Sequence, residues 1–311
     1  MKKPNEEHIP VLLNEVLSFV SEKSISVFFE GTLGLGGHAE AILKGHPEIE
    51  HYVATDQDQI ALLKAKDRLK EWESKIHYFH SNFKDVDQLM HRLHIDAFDA
   101  GLLDIGVSSM QLDTDDRGFS LRKDGPLDMR MDQSQSMSAK DVLNGYSEKE
   151  LAQVFFELGE IRFSRPLAKL IVEERKKKFI ETTADLTKLV EKVVGKQVSR
   201  IHPATQVFQA IRIEVNQELE VLKVGIKKCL KMLNIDGIFM VISFHSLEDR
   251  IVKELFKEAS SPVKDDRGKV IEDARFEILT KKPAVASLKE VKQNPRSRSA
   301  KLRVIKRIIK E

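Results

Sequence analysis

The chain has 311 residues, 41% hydrophobic and 32% charged, with a formal net charge of +2. At ~150 residues per domain this length predicts one large domain or two ordinary ones, able to fold without disulfide or metal staples, and the composition excludes fibrous, collagen-like and disordered chains. One cysteine, Cys229, excludes a disulfide framework and a cysteine-based zinc cluster, no apolar run reaches the ~18 residues of a membrane span, and the start Met1-Lys2-Lys3 leads into no signal-peptide core, so a soluble cytoplasmic protein without a metal is expected.

Val11, Leu12, Val16, Leu17 and Val20 follow helical spacing. Short β-rich runs follow at 26–30, 51–55, 76–79 and 97–103. A helical stripe of Leu62, Ala65, Leu69 and Trp72 separates the second from the third. Strands alternating with helices predict a parallel sheet built from βαβ units. The alternation stops at Leu112–Ser138, an Asp-rich stretch with no clear period, and loops of that length are usually functional or disordered. From Ala139 to about Arg212 the pattern is helical only, with capping-box signals at Ser147/Glu150 and Thr182/Asp185. Near residue 213 the α/β pattern resumes. A long amphipathic helix from Val215 to Leu233 is expected, then a turn at Asn234-Ile235-Asp236-Gly237, a central strand at 238–244 and weaker strands at 276–279 and 302–309. The fold class is therefore α/β, a sheet domain interrupted by an all-helical insertion. Expected pieces are 1–110, an inserted loop and helical domain at 111–212, and 213–311. The last piece ends in a basic tail: from Lys281 to Glu311 eleven Lys or Arg face two Glu, net +9, while the other 280 residues carry 40 basic and 47 acidic residues, net −7. Such a tail suits either contact with a polyanion or a solvated surface.

Glu30-Gly31-Thr32-Leu33-Gly34-Leu35-Gly36-Gly37-His38 closes the first strand and opens a helix, where glycines admit a ligand to the backbone and a helix N-terminus favours an anion. Asp56, twenty residues after Gly36 and at the end of the second strand, suits the two hydroxyls of a ribose. Together they indicate an adenosine-containing cofactor, and the missing third glycine of Gly-x-Gly-x-x-Gly weakens a nicotinamide reading. Asp104-Ile105-Gly106-Val107-Ser108-Ser109-Met110-Gln111 follows the fourth strand, on the same side of the sheet. Asp113–Asp124 begins like a calcium loop, but Arg117 stands at a ligand position and Asp124 replaces the closing Glu. Ser243–Arg250 holds Ser, His and Asp too close in sequence for a triad, so a ligand-facing loop capped by Ser246 or Glu248 is expected. Cys229 lies on an apolar helix stripe and is read as a core residue, which argues against cysteine-dependent methylation of a pyrimidine ring carbon.

Taken together, these segments resemble the MraW (RsmH) family of 16S ribosomal RNA cytosine-N4 methyltransferases. The likeness runs in order from His8-Ile9-Pro10-Val11-Leu12 to the tail Asn294-Pro295-Arg296-Ser297-Arg298-Ser299-Ala300. Its most specific segments are Asp104–Gln111, Arg117-Gly118-Phe119-Ser120, Gly125–Asp132, His202-Pro203-Ala204-Thr205 and Val241–Arg250. The resemblance implies a Rossmann-like class I methyltransferase sheet with an inserted helical domain, S-adenosyl-L-methionine as donor, and a cytidine in the decoding region of the small subunit as acceptor. It places cofactor contacts at Gly36, Gly37, His38, Asp56, Phe83, Asp104 and Gln111. RNA contacts are expected at Arg117, Phe119, Arg130, His202, His245, Arg296 and Arg298. The partner implied is 16S rRNA within the small ribosomal subunit, with no membrane, and a homodimer stays open. Glu30 stands where the family usually has Asp, Ile161 where Gly-Glu-Glu is usual, and Gln206 where Arg follows His-Pro-Ala-Thr.

A cytosine amine is a poor nucleophile because its lone pair is delocalised into the ring. Acceptors that hold the amino hydrogens, and so align the nitrogen, supply much of the required acceleration. The place after the fourth strand holds no Pro-Pro-aromatic sequence, so Asp104, Ser108 and Ser109 are the candidate catalytic acceptors. The target base must be unstacked, with Phe119 or Phe244 available for stacking if either is not a core residue. Rival readings are a nicotinamide oxidoreductase and a non-catalytic RNA-binding protein on the same fold.

Overall fold

A computed structural model describes residues 9–121, 123–195 and 202–309; the side chain of Ser109 lies outside the description, as does His8. The chain forms two compact units, one from 1–106 with 219–311 and one from 107–218.

In the first unit the helices are α1 (Leu13–Val20), α2 (Gly37–Gly45), α3 (Gln59–Arg68) and α4 (Val86–Arg92), and the strands between them are β1 (Val27–Glu30), β2 (His51–Asp56), β3 (Ile76–His80) and β4 (Phe98–Asp104). The second unit contains α5 (Ser109–Asp113), α6 (Ala139–Gly145), α7 (Glu148–Gly159), α8 (Ser164–Arg175), α9 (Thr183–Val194) and α10 (Ala204–Asn216). The chain then runs through α11 (Glu218–Lys231), β5 (Leu233–Ser243), α12 (Ser246–Ala259), β6 (Val263–Lys264), β7 (Val270–Glu272), β8 (Phe276–Ile278), β9 (Ala284–Val285), α13 (Leu288–Gln293) and β10 (Lys301–Arg307). Among the described residues no helix is long and apolar enough to cross a membrane.

The sheet order is β3-β2-β1-β4-β5-β10-β8, with β9 also paired to β10. The first five strands are parallel, and β10 runs antiparallel to β5. This is the class I methyltransferase arrangement. A dinucleotide-binding sheet of order 3-2-1-4-5-6 continues in parallel at that edge, so the antiparallel β10 argues against the nicotinamide reading. Strand periodicity sends alternate residues to opposite faces. Phe28, Tyr52, Leu102, Met240 and Val304 pack with α1, α2 and α3 on one face. Phe29, Val53, Leu103, Phe239 and Ile305 pack with α4, α11 and α12 on the other.

Two local expectations are corrected. The turn expected at 234–237 is part of β5, which bulges there: Phe98 pairs with Leu233 and Ala100 with Ile238, and Asp236 takes a left-handed φ of 63°. The long helix expected from Val215 is two helices, because Gln217 at φ 49° ends α10 and α11 starts after it.

The second unit has its own core, formed by residues such as Leu143, Leu151, Phe155, Leu167, Leu186 and Ile211. Both anticipated capping boxes form, at Ser147/Glu150 and Thr182/Asp185. Beyond α5, the described residues of the Asp-rich stretch form a loop with one short 3-10 turn at Asp115–Arg117. A side chain at Gly118 would strike the Pro126 carbonyl, and one at Gly125 the Asp115 carbonyl, so the loop folds tightly on itself. Asn216 clamps it to α10, accepting from Met131 N–H at 2.8 Å and donating to Met129 O at 2.8 Å.

Candidate active site

Within the first unit, the carboxyl ends of β1, β2, β4 and β5 converge, the usual ligand position in an open parallel sheet. The loop from Glu30 to Gly37 is shaped by glycine at specific points. A Cβ on Gly31 would collide with Leu103 and Phe83, and Gly36, at φ 75°, turns the chain into the first residue of α2. Asp56, the last residue of β2, braces the loop: Oδ2 accepts from Gly34 N–H at 2.7 Å and Oδ1 from Asp58 N–H at 2.8 Å. Burial pushes its pKa up to about 6, with the backbone donors pulling against that rise. Two bonds leave further lone pairs on this carboxylate for a ligand's hydroxyls.

Asp104 ends β4, its N–H bonded to the Thr32 hydroxyl at 2.6 Å. Its Oδ1 is buried and has no hydrogen-bond partner among the described residues. Burial first, and the charge of Glu248 second, raise its pKa to about 7. A buried acceptor without a donor is costly in a folded protein, so this oxygen has capacity to accept a further hydrogen bond. His38, 5% exposed, directs Nε2 to Val11 O at 3.0 Å and Nδ1 towards Asp104 Oδ2 at 3.9 Å. Phe83 is buried beside Gly31 and packs its ring over Gly225.

After β5, His245 is the N-cap of α12, and the fully buried Glu248 answers it. Glu248 Oε2 accepts from Phe244 N–H at 2.7 Å and from His245 N–H at 3.2 Å, and Oε1 lies 2.9 Å from His245 Nε2. Phe244 is half-buried next to Gly106. Glu30, read in the sequence only as a mild family departure, is buried at the end of β1 and accepts from the Tyr52 hydroxyl at 2.6 Å. Burial drives its pKa to about 8, with Asp104 and Asp56 adding like charge. The available signal was an acid closing an otherwise apolar run, Val27-Phe28-Phe29. Cys229 is fully buried on α11, and burial pushes its thiol pKa well up, as suits a core residue rather than a nucleophile.

The second unit holds the remaining expected residues. Ser108 and Gln111 satisfy each other as a capping box on α5: Gln111 N–H donates to Ser108 Oγ at 3.2 Å, and Ser108 N–H to Gln111 Oε1 at 3.0 Å. Two expected RNA contacts are packed inside. Arg117 is 4% exposed and donates through Nη2 to Arg130 O and Met131 O, and Phe119 is a buried core residue beneath the Arg117 guanidinium. Both therefore shape the loop and present no open face. Arg130 grips Asp128 through Nε and Nη2 at 2.9 and 2.7 Å. His202 is exposed, with Nδ1 accepting from Ala204 N–H at 3.2 Å and Nε2 lying 3.4 Å from Glu191.

The basic tail also divides. Lys301 and Arg303 bind Asp249 at 2.9 and 2.7 Å, Lys306 pairs with Asp236, and Arg307 donates to the carbonyls of Lys231 and Leu233. These cations serve the fold. Lys281, Lys282, Lys289, Lys292, Arg296 and Arg298 are exposed.

The profile of the MraW methylase family matches residues 5–308. A Clostridium botulinum (strain Loch Maree / Type A3) protein named ribosomal RNA small subunit methyltransferase H is 45% identical over 307 residues, covering 97% of this chain and 99% of that one. Proteins of the same name from Persephonella marina and Fusobacterium nucleatum are 46% and 44% identical, over 97% and 98% of this chain and 99% and 98% of their own. With the sheet order, the glycine turn and the acids at the strand ends in agreement, the chain belongs to the MraW methylase family.

Proposed function

We propose that this S-adenosyl-L-methionine-dependent methyltransferase methylates N4 of a cytidine in the decoding region of 16S rRNA, and that Asp104 is the group that receives the amine. The observation carrying this reading is the buried, partnerless Oδ1 of Asp104 at the end of β4. The residues of the first unit fit the donor. Gly36 and Gly37 open the backbone at the start of α2, Asp56 keeps lone pairs for the ribose, and His38 borders Asp104. Phe83 supports the glycine loop beside Gly31, and Gln111 is a contact that the resemblance alone implies. When bound, the donor supplies an electrophilic methyl group on a sulfonium.

Asp104 accepts a hydrogen bond from the amine, which directs the nitrogen lone pair and makes it more nucleophilic. Once nitrogen carries its new bond to carbon, it must lose a proton. A carboxylate with a pKa near 7 takes that proton at neutral pH, the match that general-base catalysis requires. Asp104 is favoured over Ser108, whose hydroxyl already caps α5; Ser109 remains a candidate on sequence grounds. The exposed tail cations, Arg296 and Arg298 among them, and His202 are assigned to the RNA, whereas the His245 ring, turned to Glu248, serves the α12 cap.

The test is single replacement of Asp104, Ser108 and Ser109, with methyl transfer to small-subunit rRNA measured at saturating cofactor. Asp104→Asn is expected to lose turnover by about 100-fold or more, in the range for removal of a general base. Unchanged turnover would remove Asp104 from the mechanism.

A further inference from the structure

Two stretches singled out in the sequence, at opposite ends of the chain, meet in the first unit. Leu12 N–H donates to Glu290 Oε1 at 2.8 Å, and Asn294 Nδ2 donates to Ile9 O at 3.0 Å. We infer that Glu290 and Asn294 are positioning residues for cofactor binding: they clamp Ile9–Leu12 against the first turn of α2, and that segment fixes the ring of His38. The inference rests on the reading that Gly37 and His38 hold S-adenosyl-L-methionine.

The clamp is rigid on the tail side. Asn294 N–H bonds to Glu290 O at 2.6 Å, and the Asn294 carbonyl accepts from Ser297 N–H at 3.0 Å and Ser297 Oγ at 2.8 Å. Both backbone groups of Asn294 are thus held, and its side chain is left to reach Ile9. Ser287 caps α13 by accepting from Glu290 N–H at 3.1 Å, which sets the start of the helix carrying Glu290.

The clamped segment is also specific on the cofactor side. Pro10 fills the space where a Cβ on Gly37 would stand. Val11 O lies 3.0 Å from His38 Nε2. A carbonyl only accepts, so this contact puts the hydrogen on Nε2 and turns Nδ1 to the Asp104 side. Leu12 holds φ 54°, a left-handed conformation unfavourable for a residue with a side chain, and α1 has no side-chain cap. Glu290 on the Leu12 N–H offsets both, so without it the segment has reason to relax away from His38. The tail motif therefore points two ways: Asn294 inward to the segment, Arg296 and Arg298 outward to solvent.

The experiment titrates full-length protein with S-adenosylhomocysteine by calorimetry, with hydrogen exchange at residues 11–13 and NMR of the His38 ring nitrogens as structural readouts. Asn294→Ala and Glu290→Ala are each expected to weaken binding about fivefold, the loss of one hydrogen bond. Exchange at Leu12 accelerates and the His38 Nε2–H signal loses its hydrogen-bonded shift. Glu290→Gln, which keeps the acceptor, is expected to restore affinity. Asn294→Asp, of the same size but lacking the donor, repeats the loss if the alanine variant folds poorly. Loosened exchange at Leu12 with unaltered affinity overturns the inference alone. Wild-type protein that binds no S-adenosylhomocysteine overturns the cofactor reading with it.

Discussion

Replacing Glu30 by Gln makes the electrostatics of the strand ends measurable. Glu30 is 1% exposed, and burial lifts its pKa from 4.5 to about 8. The folded state therefore holds this proton more tightly than the unfolded chain does. The stabilising contribution is complete below pH 4.5 and is lost as pH rises through about 8, at roughly 1.4 kcal/mol per pH unit. By pH 7 the loss is on the order of 3 kcal/mol. Gln keeps an acceptor for the Tyr52 hydroxyl and does not ionise, so Glu30→Gln removes this slope. The variant is expected to match the parent or fall below it at pH 4.5, and to exceed it at pH 7 by ~1–3 kcal/mol, the lower figure allowing for an imperfectly paired amide. Urea unfolding of the two ligand-free proteins at half-unit steps from pH 4.5 to 8 measures the difference. Asp56 and Asp104 titrate in both proteins, so the difference curve carries Glu30 together with its coupling to these two neighbours. Parallel curves would refute the reasoning.

Because the Asp56 carboxylate is assigned to the ribose and has a pKa of about 6, S-adenosylhomocysteine affinity measured by calorimetry should fall as pH drops below 6 and be flat above 7. Asn216→Ala strips the partners from a buried N–H and a buried carbonyl, and it should lower the stability of the second unit by ~2–4 kcal/mol in chemical denaturation. Joint replacement of Arg296 and Arg298 by Ala should lower the slope of log binding constant against log salt for rRNA by about 1.4, the value for two single-strand phosphate contacts. Arg303→Ala should leave that slope in place and lower the melting temperature, since Arg303 is bound to Asp249 inside the fold.

The sheet was legible because each parallel strand is a short apolar run followed by a polar turn, and period two divides Phe28 from Phe29 without further information. The positions of Asp56 and Asp104 at the carboxyl ends of β2 and β4 were legible, because each acid closes an apolar run; their roles toward a ligand rest on the resemblance. Glu30 was not legible, since its significance lies in burial beside Tyr52, distant in sequence; for Glu248 the place at the α12 cap was legible, but its full burial and its charge beside Asp104 were not. The 234–237 segment has turn composition, yet pairing with β4 holds it in the sheet as a bulge, so tertiary context overrode local propensity. Apolar spacing ran through Gln217 unbroken, and only the backbone reveals the helix end. Tail charge overstated the exposed cations, because strand pairing and Asp249 were invisible in a count of Lys and Arg.

The most direct test of the account is the nucleoside composition of 16S rRNA, by mass spectrometry, from a strain lacking this gene and from the same strain complemented with wild-type or Asp104→Asn protein. The account requires the N4-methylcytidine signal of the decoding region to vanish on deletion, to return with wild type, and to stay absent or strongly reduced with Asp104→Asn produced at equal level. Persistence of the signal in the deletion strain would contradict the substrate assignment, and full restoration by Asp104→Asn would contradict the mechanism.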